Sequence, residues 1–314
     1  MIERWGDGFC VVLAWWGSRW RAVLVGVAVV SLAGFAAWAQ SGPQSGVSCV
    51  PGQRVWVPDA GLRHGIESML HLPEDEGDPW VPCETMLRLT RLWLPAPRYP
   101  VASLEGLQAA RNLTWLQLDF MAVPSSQGVV FHTVSDLSPL AELPLRYLFL
   151  ATTSRVEDLA PVGRMHALEE FFLGGGGQVT APVDASFVDG LPLLRKFTTN
   201  DVRYRGLEPF TRLEGLESLA LRFAGIRDVH ALRWWIDPPK VLKLEGNGIA
   251  DLSPLVENPA FGAGDEIDLQ GNCIGTVPGV GWEAVSALRA RGVRVVATPL
   301  RQAKADDPRC RPAP

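Results

Sequence analysis

Five histidines, His64, His71, His132, His166 and His230, are the side chains best suited to proton transfer or metal binding near neutral pH. No two of them sit at metal-ligand spacing on one recognisable element. His166, followed by Glu169 and Glu170, comes nearest to a cluster. The strand register developed below sends Glu170 to one face and leaves His166 in the turn before the strand. The nucleophile, zinc-protease, phosphate-loop and dinucleotide patterns (G-x-S-x-G, H-E-x-x-H, G-x-x-x-x-G-K-S/T, G-x-G-x-x-G) are all absent. The glycine run 174–177 has the look of a phosphate cradle, but no Lys-bearing helical segment follows, and it reads as a repeat turn. The acidic run 74–78 lacks the alternation of a calcium loop and reads as a solvated segment. Asn112-Leu113-Thr114 spells a glycosylation acceptor, yet Leu113 falls on a core position. The expectation is a chain without catalysis, cofactor or metal.

The elements that must position any site come from the rest of the sequence. The chain has 314 residues, 47% apolar and 20% charged, with a formal net charge of -5. It is too apolar for disorder and lacks the basic footprint of a nucleic-acid binder. Residues 22–39 are apolar apart from Ser31, follow Arg19 and Arg21, and end in Ala37-Trp38-Ala39, which fits signal-peptidase cleavage. Residues 1–39 are therefore read as a signal peptide, with an uncleaved membrane anchor as the alternative. The protein is expected to be secreted, periplasmic or held at the cell envelope.

From residue 89 one pattern recurs: apolar, two variable, apolar, one variable, apolar. It appears as Leu89-Leu92-Leu94, Leu113-Leu116-Leu118, Leu145-Leu148-Leu150, Leu168-Phe171-Leu173, Leu194-Phe197-Thr199 and Leu216-Leu219-Leu221. Leu242-Leu244 and Ile267-Leu269 are two shortened copies. A second apolar pair follows most strands, as at Leu104 and Leu107, Leu137 and Leu140, or Leu252 and Leu255. A period near 23 residues with this signature is the leucine-rich repeat. The fold class is an α/β solenoid with a curved parallel sheet of about eight repeats. The layout is an N-terminal cap at 40–88, repeats at 89–275, a C-terminal cap at 276–298 and a tail at 299–314. In the first cap, Asp59 can N-cap a helix with Leu62, Ile66, Met69 and Leu70 on one face. In the second, residues 282–291 read as a helix closed by Gly292, with a strand at 293–297. Eight strands at ~4.8 Å put the two ends roughly 35 Å apart. A disulfide needs Cα atoms within ~7 Å. Cys49 should therefore pair with Cys83, and Cys273 with Cys310.

The segments Leu219-Ala-Leu221, Leu244-Glu-Gly-Asn247-Gly-Ile249-Ala-Asp-Leu252-Ser-Pro-Leu255 and Leu269-Gln-Gly-Asn272-Cys-Ile274 resemble the repeats of internalins and of many secreted bacterial leucine-rich repeat proteins. Val57-Pro-Asp-Ala-Gly-Leu62 is similar to the helical cap that precedes such repeats. The resemblance covers residues 55–298 and implies protein–protein recognition outside the cytoplasm. One departure stands out. The repeat Asn, expected to bond neighbouring turns, is kept only at Asn247 and Asn272. Pro97, Met121, Thr153, Gly176, Val202 and Ala224 hold the other equivalent positions.

Side chains alternate along a strand, so the residues between the apolar positions should face the concave side. Trp93, Trp115, Tyr147, Phe149 and Phe172 fall on the first four strands. Lys196, Arg222 and Lys243 fall on the next three, and Glu245, Glu266 and Asp268 close the row. The expectation is a monomer whose aromatic block anchors a partner and whose basic trio fixes the partner's acidic part. The partner is a protein or, alternatively, a glycan stacked on the aromatics; an enzyme with an unrecognised site is a further alternative. The insertion at 118–134, with Phe131, could instead cover the aromatics.

Overall fold

The computed structural model describes residues 49–73, 77–96, 98–119, 132–151, 156, 158–174, 182–275, 281–298 and 310. Residues 1–39, the insertion around Phe131, ladder positions Pro97, Met121, Thr153 and Gly176, and the tail apart from Cys310 lie outside them.

The chain opens with a two-stranded antiparallel ribbon, β1 (Arg54–Trp56) and β2 (Trp80–Pro82). Between its strands lies α1 (Ala60–Met69), and α2 (Cys83–Arg88) follows. Nine parallel strands then stack in chain order. They are β3 (Arg91–Pro95), β4 (Trp115–Asp119), β5 (Tyr147–Ala151), β6 (Glu170–Gly174), β7 (Lys196–Asn200), β8 (Ser218–Arg222), β9 (Val241–Lys243), β10 (Glu266–Asp268) and β11 (Arg294–Val296). The last of these is a strand of the C-terminal cap, preceded by α4 (Gly281–Ala290). Most return segments are short 3-10 turns, such as Leu107–Ala109 and Phe210–Arg212; the one after β9 is α3 (Ser253–Glu257).

The apolar motif positions form one continuous core. Leu92, Leu116, Leu148, Phe197, Leu219, Leu242 and Ile267 are all essentially inaccessible. A repeat cannot bury its strand and return segment alone, so neighbours share this core. In the middle, Phe171, Phe197 and Phe210 run through it with centroids 5.3 and 5.5 Å apart. Five of the descents from strand to return segment use the same device. Asp136, Asp158, Asp184, Asp228 and Asp251 each accept, through Oδ1, the N–H two residues on, at 2.7–2.8 Å. These are Asx turns, which pre-shape the chain for the turn that follows.

Both open ends of the core are closed. Asp59 Oδ1 accepts the Leu62 N–H at 2.8 Å, capping α1, while its Oδ2 accepts from Ala102 and Ser103 of the first repeat at 2.8 and 3.1 Å. The helix lies against the repeat through glycines. A Cβ at Gly65 would fall 2.0 Å from Leu94 Cδ2, and one at Gly61 would fall 2.1 Å from the Pro100 carbonyl oxygen. At the far end, Gly292 has φ +87°, and the N–H groups of Val293 and Gly292 close on the carbonyls of Leu288 and Arg289. That is a Schellman ending. Disulfides Cys49–Cys83 and Cys273–Cys310 staple the two ends, each with a Cα separation of 5.4 Å.

Candidate functional site

Strand pairing aligns the concave side chains into rows that cross the sheet. One row reads Arg91, Trp115, Tyr147, Glu170, Lys196, Ser218, Val241, Glu266, Arg294. The next reads Trp93, Gln117, Phe149, Phe172, Thr198, Ala220, Lys243, Asp268, Val296. The five aromatics singled out from sequence therefore occupy β3 to β6 in two rows, Trp115 beside Tyr147, Phe149 beside Phe172, and Trp93 separated from Phe149 by Gln117.

Their rings stack on one another. Trp115 and Tyr147 lie 5.1 Å apart at 7° between planes, and Phe149 and Phe172 lie 4.0 Å apart at 8°. All four are partly buried, whereas Trp93 is 46% exposed. Asp119 organises the edge of the block: its Oδ2 accepts from Trp93 Nε1 at 3.1 Å and from Gln117 Nε2 at 2.6 Å. Burial, then the Glu170 and Asp119 carboxylates, push the Tyr147 hydroxyl above its usual range. It stays a neutral donor at physiological pH.

The basic trio has a different setting. Lys196 Nζ lies 2.8 Å from Glu170 Oε1, and Arg222 Nε lies 3.1 Å from the Glu245 carboxylate. Lys243 has no ion pair among the described residues. It lies near Asp268, whose carboxyl burial pushes up against the opposing pull of Lys243 and Arg222. Just before the strands, Arg146, Glu169, Arg195, Glu217, Lys240 and Asp265 alternate in sign from repeat to repeat. Pairs form between Arg146 and Glu169, Arg195 and Glu217, and Lys240 and Asp265. Much of the charge on this side of the sheet is thus answered by the adjacent repeat.

His166 Nδ1 lies 2.9 Å from the Gly190 carbonyl, while Glu169 and Glu170 turn to Arg146 and Lys196. The cluster suggested by their spacing is dispersed. Among the described residues no group of three His, Cys, Asp or Glu side chains could hold a metal ion. Among the same residues no helix is long and apolar enough to cross a membrane.

The polar scaffold beneath the surface is where sequence reading missed a residue. Asn247 Nδ2 donates to the Leu221 and Leu244 carbonyls at 2.7 and 2.9 Å, and its Oδ1 accepts the Ile226 N–H at 3.1 Å. Asn272 repeats the arrangement with Leu244, Leu269 and Ile249. His132 does the same work in the β4 repeat. Its Nε2 lies 2.8 Å from the Leu94 carbonyl and 3.1 Å from that of Asp119, and its Nδ1 accepts the Val101 N–H at 3.2 Å. The register position expected to hold this residue was Met121, and His132 lies near the end of the 118–134 insertion. The signal was a lone histidine within the insertion that interrupts the period.

No family model matches the chain, and no curated protein matches it. Among solved structures, internalin C2 of Listeria monocytogenes is similar at 18% identity, with a TM-score of 0.59, covering 79% of this chain and 98% of that one. An internalin InlF from the same species is 20% identical over 77% of this chain and 76% of its own, with a TM-score of 0.47. The likeness to internalin C2, together with the parallel sheet and its period, makes the fold of this chain an internalin-like leucine-rich repeat solenoid.

Proposed function

We propose that this chain is an extracytoplasmic recognition protein without catalytic activity, binding a protein partner on the concave face of β3 to β6. The observation that carries this reading is the block of Trp93, Trp115, Tyr147, Phe149 and Phe172 on a face directed away from the core. Contiguous accessible aromatics supply large contact area at small entropic cost and dominate protein interfaces. Two disulfides support an oxidising compartment.

The stacking favours a protein over a glycan. A sugar ring needs an open aromatic face. Here Trp115 covers Tyr147 and Phe149 covers Phe172, so much of what these rings offer is their electropositive edges. Ring edges suit carbonyl oxygens and aliphatic side chains, which a polypeptide presents in quantity. The ion pairs of Lys196 and Arg222 narrow the role first assigned to the basic trio, leaving Lys243 as its unpaired member on the concave face.

The test compares wild-type protein with a Trp93→Ala, Trp115→Ala, Phe149→Ala variant in pull-downs from envelope extracts of the native cells. A specific partner should be retained by the wild type and lost with the triple variant, whose melting temperature should shift little. A partner retained by the triple variant would place recognition elsewhere. A large loss of stability would make the block a covered core.

A further inference from the structure

We infer that His132 makes the N-terminal end of the solenoid acid-labile, because protonating its Nδ1 destroys the acceptor that holds the 101–103 turn. His132 is 1% exposed and has three backbone partners. An imidazole that donates from Nε2 and accepts at Nδ1 is neutral, in one tautomer. The Leu94 and Asp119 carbonyls can only accept, so Nε2 carries the proton. The Val101 N–H can only donate, so Nδ1 must be bare. A proton arriving from solvent at Nδ1 sets two N–H groups head to head at 3.2 Å and puts a cation in a buried setting. The site therefore accepts that proton only by opening.

The charged groups that reach the ring are Asp119 at the end of β4 and Asp59 at the start of α1. Both favour the charged form, but burial outweighs them and holds the imidazole below its ordinary value of 6.5. The sign follows. Above 6.5 the ring is neutral whether the turn is open or closed. Below it, the opened state takes up a proton and the closed state does not, so the closed state loses ground as pH falls.

Opening has somewhere to go. Val101 is held a second time, its carbonyl accepting the Thr133 N–H at 2.9 Å. The next two amides, Ala102 and Ser103, are those that Asp59 ties to α1. Loosening Val101 thus weakens the contact between cap helix and first repeat. The Asn247 and Asn272 clasps bond in the same pattern but carry no titratable group.

Those two clasps supply the control within one molecule. Amide hydrogen exchange of the intact protein, read as protection factors at pH 7.5 and pH 5.5, should show Val101 losing about tenfold protection. Ile226 and Ile249 should lose none. In His132→Asn, which supplies an equivalent donor and acceptor, the Val101 protection should no longer depend on pH. Equal pH dependence at Val101 and Ile226 in the wild type would overturn the inference, as would persistence of the effect in His132→Asn. If that variant does not fold, ring nitrogen shifts of the native protein decide. A His132 titrating at or above 6.5, or bare at Nε2, refutes it, and a ring protonated at Nε2 that stays neutral below 6.5 upholds it.

Discussion

The two halves of the repeat sheet solve the same stacking problem with different materials. From β3 to β6 the concave rows are largely aromatic, and the one ladder residue among the described residues there is His132, delivered by the end of an insertion. From β7 to β10 the rows turn to Thr198, Ala220 and charged residues. Arg222 is paired there and Asn247 and Asn272 clasp successive turns, while Lys196 on β7 reaches back to Glu170 on β6. The half with the regular polar scaffold has spent much of its surface charge on its own neighbours. The half with the aromatic rows keeps apolar surface available. The polar clasps and the aromatic rows are divided along one continuous core.

That division can be tested by perturbing each half and ranking the outcomes. Asn247→Ala leaves the Leu221 carbonyl and the Ile226 N–H unpaired in the interior and removes one of the two donors to the Leu244 carbonyl, and should cost about 3 kcal/mol. Urea denaturation followed by circular dichroism would measure it. Asp59→Ala removes a helix cap together with two bonds to the first repeat and should cost about 2 kcal/mol in the same assay. Val202 holds the ladder position in the β7 repeat and is buried. Val202→Ala should cost only about 1 to 1.5 kcal/mol, as a loss of packing. A Val202→Ala cost equal to that of Asn247→Ala would erase the distinction between apolar and polar scaffolding. The smallest effect belongs to Glu170→Gln, which breaks an exposed pair with Lys196. It should change stability by less than about 0.5 kcal/mol and leave partner binding intact.

The sequence made part of this legible and hid the rest for physical reasons. Leu-x-x-Leu-x-Leu spacing is set by the strand period, so Leu116, Leu148 and Leu219 could be placed inside and Trp115 and Phe149 outside without coordinates. The cysteine pairs followed because the ends of a stack cannot meet. The setting of Lys196 was not visible, because its partner Glu170 lies a full repeat earlier and the contact exists only once both strands are in register. Reading row by row would have shown the alternating signs of Arg146, Glu169, Arg195 and Glu217. His132 was obscured by its letter and its distance: an imidazole stands where an amide was sought. The repeated Asp of Asp136-Leu-Ser-Pro-Leu and Asp251-Leu-Ser-Pro-Leu was visible as text, but its role as a turn acceptor needed the bond itself.

Arg146, Glu169, Arg195, Glu217, Lys240 and Asp265 form a sequence in which each member neighbours the opposite sign, and three of the adjacent couples are ion pairs. Excising one repeat would set two like charges side by side, whereas excising two consecutive repeats would restore the alternation. The array therefore has a parity: it can grow or shrink by even numbers at little electrostatic cost. Chimeras and length variants of this solenoid should be cut accordingly.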